Sequence, residues 1–213
     1  MDCVLLIDLD RTLYPPRAGL QEAGDRLLTA WMAQRLELSV PEVEALRRRL
    51  WSEYGTSARG LELEYGIPQA EVYANCIELL RPADYVWPRP EVREMLAGLP
   101  YPAFVCTNAT ELYSGRVLEA LGLADCFRGV IAIQQMRWVA KPHPEAYRAA
   151  LALVGVPAAR TVFVDDSFSN VQGAQQVGLH AVLCHPQPRR PWPQHITDIT
   201  ALPGLLPGLL GSE

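Results

Sequence analysis

The sequence predicts an α/β protein: a three-layer, doubly wound parallel sheet with a small α-helical domain inserted after its first strand. Three observations predict it. Short, continuously apolar runs recur along the chain, as strands covered on both faces require. Beyond the first hundred residues these runs alternate with segments of helical periodicity. Between residues 15 and 87 the alternation stops and only helical spacing remains.

The elements follow in order. Cys3-Val4-Leu5-Leu6-Ile7 is the first strand, and Asp8 ends its apolar run. Leu20, Leu27, Trp31 and Leu38 then recur at helical spacing, as do Val43, Leu46, Leu50 and Tyr54, and Val72, Cys76, Leu79 and Leu80. Trp31 and Trp51 are expected in the core of this helical insertion. Trp87-Pro88-Arg89-Pro90 reads as the linker returning to the main domain. The domain boundaries expected are thus 1–14 with 88–213 for the core, and 15–87 for the helical domain.

Ala103–Cys106, Val130–Ile133, Thr161–Val164 and Ala181–Cys184 supply the remaining clear strands. The helices between them carry end signals. Asn108 is placed to cap a helix with Glu111 three residues on, with Leu112, Leu118 and Leu121 as its stripe and Gly122 as its stop. Pro144 suits a first turn, with Tyr147, Leu151 and Val154 on one face. Ser169 or Asn170 opens a third helix, with Val171, Ala174 and Val177 inward and Gly178 at its end. His185 to Pro193 is proline-rich and irregular, and Ile196 to Leu210 reads as a short strand and a final helix.

At 213 residues and 23.6 kDa the chain can bury one good core plus a small accessory unit. A formal charge of −5 and a pI near 5.4 exclude a nucleic-acid polymer as partner, since phosphate-backbone binding needs a basic face. The compact basic run Arg47-Arg48-Arg49 lies among helix-like residues and reads as a solvated face. Five scattered cysteines without a Cys-x-x-Cys pair suit a reducing compartment. No run has the length of a membrane span and no leader-like N-terminus is present, so a cytoplasmic monomer or homodimer is expected. Four scattered histidines have no paired spacing and read as structural or exposed; His143, between two prolines, suits a helix entry.

The chemistry starts at Asp8 and Asp10. On an extended chain alternate side chains share a face, so the two carboxylates point one way. Their repulsion makes joint ionisation costly unless a cation lies between them. Such a pair suits a hard metal ion, a nucleophile, or both. Polar residues also follow three other runs: Thr107-Asn108, Lys141 ahead of the Pro144 helix, and Asp165-Asp166. In open α/β sheets ligands bind outside the carboxyl ends of the strands, where all four positions fall.

Together these residues resemble the haloacid dehalogenase superfamily of phosphohydrolases. The match comprises Asp8-Leu9-Asp10-Arg11-Thr12-Leu13-Tyr14, Thr107-Asn108, Lys141-Pro142, and Val164-Asp165-Asp166-Ser167 with Asn170. The helical insertion resembles that family's cap, on a Rossmann-like core. Asp10 to Pro15, Tyr54-Gly55 with Gly60-Leu61, and Phe163 to Ser167 look most like the pyrimidine 5′-nucleotidase branch.

The resemblance implies roles. Asp8 attacks phosphorus and becomes an aspartyl-phosphate; Asp10 protonates the leaving alkoxide and then activates water. Mg²⁺ is held by the Asp8 carboxylate, the Asp10 main-chain carbonyl and Asp166, with Asp165 binding directly or through water. Thr107 and amides near Asn108 donate to phosphoryl oxygens, and Lys141 offsets the negative charge and keeps Asp8 ionised. Thr12 and Asn170 give structural support. Tyr54, Gly55, Thr56 and Gly60 are expected in a loop between cap helices, where a base or sugar can be read. Arg11 stands where nucleotidase-like relatives usually have asparagine and many phosphatases glycine; it pairs with Asp10, contacts substrate, or points away under the cap. The implied activity is hydrolysis of a small phosphate ester: a nucleoside 5′-monophosphate first, with a sugar phosphate, phosphoglycolate or a phosphorylated cofactor as alternatives. A non-catalytic binding or regulatory protein on the same scaffold is the reading from another class.

Overall fold

A computed structural model describes residues 3–210, so the terminal residues of the expected core range, 1, 2 and 211–213, lie outside the described part. Six parallel strands form one sheet in the order β3-β2-β1-β4-β5-β6. They are β1 (Val4–Ile7), β2 (Ala103–Cys106), β3 (Val130–Ile131), β4 (Thr161–Asp165), β5 (His180–Cys184) and β6 (His195–Ile196). β1 lies between β2 and β4, with Leu6 opposite Phe104 on one side and Phe163 on the other. The strand order reverses beside β1, which opens a crevice at the carboxyl ends of β1, β2 and β4.

Alternation along β1 divides the core. Leu5 and Ile7 pack into the cluster that holds Val105, Val162, Val164 and Val182. Leu6 faces the other way, with Cys106, Phe163, Ala181 and Leu183. The first cluster is covered by α5 (Pro90–Ala97), α6 (Glu111–Leu121) and the C-terminal α9 (Leu206–Leu210). The second is covered by α7 (Pro144–Val154) and α8 (Phe168–Gln176). The predicted three-layer, doubly wound class is the one observed.

Residues 20–75 form α1 (Leu20–Leu36), α2 (Val40–Tyr54), α3 (Ser57–Tyr65) and α4 (Gln69–Asn75), with no strand among them. Met32, Val43, Leu50 and Leu61 are buried between these helices. Trp51 is not in that core. It is 58% exposed and faces a cleft.

Other local expectations also changed. α6 is capped by Thr110, whose hydroxyl accepts from Tyr113 N, because the Asn108 amide is engaged elsewhere. Its stripe is Tyr113, Val117, Leu118 and Leu121, while Leu112 is exposed. α8 opens at Phe168 with Ser167 at its N-cap, ahead of the expected Ser169 or Asn170. β3 ends at Ile131, and buried Ala132 and Ile133 already lead into a turn. Gly60 lies inside α3, not in a loop; a Cβ there would meet Leu50 Cδ2 at 2.6 Å, so it lets α2 and α3 approach. Leu79, expected on an apolar face, is exposed. No helix among the described residues is long and apolar enough to cross a membrane. All five cysteines are free thiols.

Candidate active site

The four predicted positions converge, although Lys141 lies in the turn segment between β3 and α7 and not at a strand end. Lys141, 1% exposed, donates from Nζ to Asp8 Oδ1 (2.8 Å), Asp165 Oδ2 (2.7 Å) and the Cys106 carbonyl (2.7 Å). All three ammonium protons therefore have acceptors. The other Asp8 oxygen, Oδ2, accepts from the Thr12 hydroxyl at 3.2 Å. Oxygens of Asp8, Asp165 and Asp166 lie within 4.8 Å of one another.

Lys141 is held there by Asn108. The Asn108 amide donates to the Lys141 carbonyl (3.0 Å) and accepts from its backbone N–H (2.8 Å), which is why it does not cap α6. Tyr73 of α4 in turn donates to the Asn108 carbonyl at 3.0 Å, tying the helical insertion to the sheet edge. Gly173 of α8 allows the same segment to pack tightly, since a Cβ there would sit 2.6 Å from the Pro142 carbonyl oxygen. Thr107 Oγ1 accepts from Ala109 N at 3.1 Å, which leaves its hydroxyl proton free to donate into the cleft.

Asp165 is heavily solvated by protein. Besides Lys141, it accepts from Ser167 N (2.8 Å on Oδ1) and from Asn170 Nδ2 (3.0 and 3.1 Å on the two oxygens). Tyr147 donates to the Asn170 carbonyl at 2.7 Å and fixes that residue. Asp166 has no such shell. Its nearest cation is Arg11, with Nε 3.6 Å from Oδ2. Of the three expectations for Arg11, an ion pair forms, but with Asp166 rather than Asp10.

Asp10 has partners that motif reading did not supply. Its Oδ1 accepts from Tyr14 (2.6 Å) and from Tyr113 of α6 (2.9 Å). Tyr14 lies i+4 from Asp10 and was visible in the first motif, but Tyr113 is distant in sequence and gave no signal beyond its place in an apolar stripe. Burial pushes the Asp10 carboxyl above its ordinary range, and the tyrosine hydrogen bonds oppose that shift without cancelling it. Burial likewise raises Asp8 well above the ordinary value; Lys141 counters this, while Asp165 and Asp166 add to it. Asp166 is pushed up to about 7 by burial and by Asp165. Burial and the two neighbouring carboxylates thus work against the Lys141 charge at Asp8.

The cleft over this edge has a volume of about 520 Å³. Asp8, Asp10, Arg11, Thr107, Asn108, Lys141, Asp166 and Asn170 line its floor. Leu28, Trp51, Gly55, Thr56, Val72 and Tyr73 of the helical insertion contribute to its roof. Gly55, in the α2–α3 turn with φ +81°, passes 3.4 Å from the Lys141 carbonyl as a Cβ would measure it, so the turn rests on the Lys141 segment. Tyr54 and Gly60 do not line the cleft.

A family model described as haloacid dehalogenase-like hydrolase matches residues 4–178, most of the chain. This protein belongs to that family. Phosphoglycolate phosphatase of Pectobacterium atrosepticum is 34% identical over 193 residues, which cover 84% of this chain and 78% of that protein. Phosphate metabolism protein 8 of Saccharomyces cerevisiae is 28% identical over 194 residues, and the matched part of this chain spans only 60% of its length. Among solved structures, CbbY from Rhodobacter sphaeroides in complex with phosphate superposes with a TM-score of 0.69 at 20% identity, covering 95% of this chain and 96% of that one. The acidic cluster offers the all-oxygen donor set that suits a hard divalent cation.

Proposed function

We propose that the protein is a Mg²⁺-dependent phosphomonoester hydrolase that works through an aspartyl-phosphate on Asp8. The observation that carries this reading is Lys141 joined to both Asp8 and Asp165, beside Asp166 and an Asp10 gripped by two tyrosines. In this reading residues 1–14 and 88–213 are the catalytic core, and residues 15–87 form the cap that faces the leaving group.

An Asp8 oxygen attacks phosphorus in line, a P–O bond to Asp8 forms, and the bond to the leaving oxygen breaks. Asp10, protonated because burial favours its neutral form, gives that oxygen its proton. The resulting Asp10 carboxylate then takes a proton from water as the water attacks the phosphoryl group, which frees Asp8 and releases inorganic phosphate. Thr107 donates to a phosphoryl oxygen, and the Lys141 ammonium, its protons held by protein acceptors, offsets the phosphoryl charge. Mg²⁺, when bound, supplies the positive charge that three carboxylates and a phosphate dianion need. The Asp8 carboxylate, the Asp10 carbonyl and Asp166 would hold it. Asp165 lies close enough to join them, but its oxygens already face three donors, so its role is to orient Lys141.

Two leaving groups compete. A nucleoside is favoured by exposed Trp51 in the cleft roof, on which a base can stack, and by the likeness of the first and last motifs to pyrimidine 5′-nucleotidases. A small acidic ester is favoured by the Pectobacterium relative, named for phosphoglycolate. A panel of phosphate esters assayed with Mg²⁺ decides between them. Turnover of para-nitrophenyl phosphate that persists undiminished in Asp8→Asn would remove the hydrolase mechanism altogether.

A further inference from the structure

Arg11 is the residue of the first motif that the proposed mechanism leaves without a task. Its backbone has φ +64°, a left-handed conformation that glycine and asparagine adopt more readily than arginine. A strained arginine at such a position has a use for its side chain. Its Nε is buried, makes no hydrogen bond among the described residues, and lies 3.6 Å from an Asp166 oxygen. Its terminal nitrogens have no hydrogen-bond partner among the described residues, and the side chain is 34% exposed in the cleft.

Two further donors stand on the same wall, contributed by the proline-rich segment after β5. Arg189 is exposed, lines the cleft, and makes no ion pair among the described residues. His185 also lines it; its Nδ1 accepts from Gln187 N at 3.0 Å, so in the neutral ring Nε2 carries the proton. Arg11, His185 and Arg189 all line the one cleft. The floor of the cleft offers one phosphoryl group the Thr107 hydroxyl and the Lys141 charge, and the Lys141 protons are all taken by protein acceptors. Arg11 and Arg189 therefore add positive charge to the cleft beyond the groups that serve the phosphoryl group.

Resting on the hydrolase reading, we propose that Arg11 and Arg189, assisted by His185, form a second anion subsite, so that the preferred substrate carries a carboxylate or another phosphate on its leaving group. An arginine with free terminal nitrogens offers the planar fork that either group accepts in bidentate fashion. A plain nucleoside leaves this subsite empty, so the proposal favours an acidic ester.

The test is binding by calorimetry, in Mg²⁺-containing buffer, of phosphonates that no phosphatase of this mechanism can cleave. Phosphonoacetate and methylenediphosphonate are compared with ethylphosphonate, which lacks the second charge. The full-length protein is expected to bind one or both of the first two about tenfold or more tighter than ethylphosphonate, as one charge-assisted pair allows. Whichever is tighter tells carboxylate from phosphate. In Arg11→Asn, whose backbone tolerates the left-handed conformation, the preference is expected to fall towards unity; Arg189→Ala, at an exposed position, is expected to reduce it in part. Equal binding of all three probes by the unaltered protein, or a preference that survives both substitutions, overturns the proposal. Because no bond is broken, these outcomes are read separately from any failure to hydrolyse esters.

Discussion

At the scale of single residues, Asp10 shows how environment assigns a task. Asp8 and Asp10 are alike in sequence, yet Asp8 faces an ammonium and Asp10 faces two phenols. At the first, the Lys141 charge opposes the upward push of burial and of two neighbouring carboxylates; at the second, two phenol hydrogen bonds oppose burial alone. Asp10→Asn is expected to lower kcat by about 10²–10⁴, the range for losing a general acid–base, in steady-state assays with an alkyl phosphate. Tyr113→Phe removes a hydrogen bond that lowers the Asp10 pKa, so that pKa rises further. The descending alkaline limb of kcat/KM, where Asp10 loses the proton it must donate, is then expected to move to higher pH. An unchanged profile would show that another group supplies the proton. Asp8, Asp10 and Asp166 were legible in the sequence because they follow apolar strands, and Lys141 because it stands just ahead of the Pro144 helix. Tyr113 was not, because a hydroxyl on a helix stripe reads as core until the fold brings it to the acid.

At the scale of elements, strands were easier to find than the turns that carry the site. Val4–Ile7 and Thr161–Asp165 are buried at every position, so two-sided burial made them continuous apolar runs. Helix starts were harder, since Asn108 has the chemistry of a cap but spends its amide on both backbone groups of Lys141. Trp51 misled for a related reason: helical spacing marks an apolar face without saying whether protein or ligand covers it. Gly173 ties α8 to the lysine segment through a contact no side chain can share. Gly173→Ala is expected to destabilise the protein by about 1–3 kcal/mol through overpacking, measured by chemical denaturation. It is also expected to weaken turnover, because the shift falls on the Pro142 carbonyl next to Lys141. A variant of unaltered stability would mean that the two segments separate freely.

For the whole molecule, charge balance at the sheet edge governs stability as well as chemistry. Asp8 and Asp166 have carboxyl pKa values raised by folding, Asp166 to about 7. A group raised on folding contributes stability below its unfolded pKa and loses it as pH climbs through the folded value. Metal-free protein is therefore expected to show a Tm that falls as pH rises from about 5 to 8, across the folded Asp166 value. Adding Mg²⁺ at the upper end is expected to recover it, because the cation binds the ionised folded cluster and not the unfolded chain. A Tm that rises over this interval and ignores Mg²⁺ would contradict the neutralisation account. The most direct test of the central claim is peptide mass spectrometry of protein quenched in acid during turnover of a phosphate ester with Mg²⁺. The account predicts one phosphoryl group on the peptide containing Asp8, absent in Asp8→Asn. Full turnover with no adduct in the native protein, and equal turnover by Asp8→Asn, would contradict it.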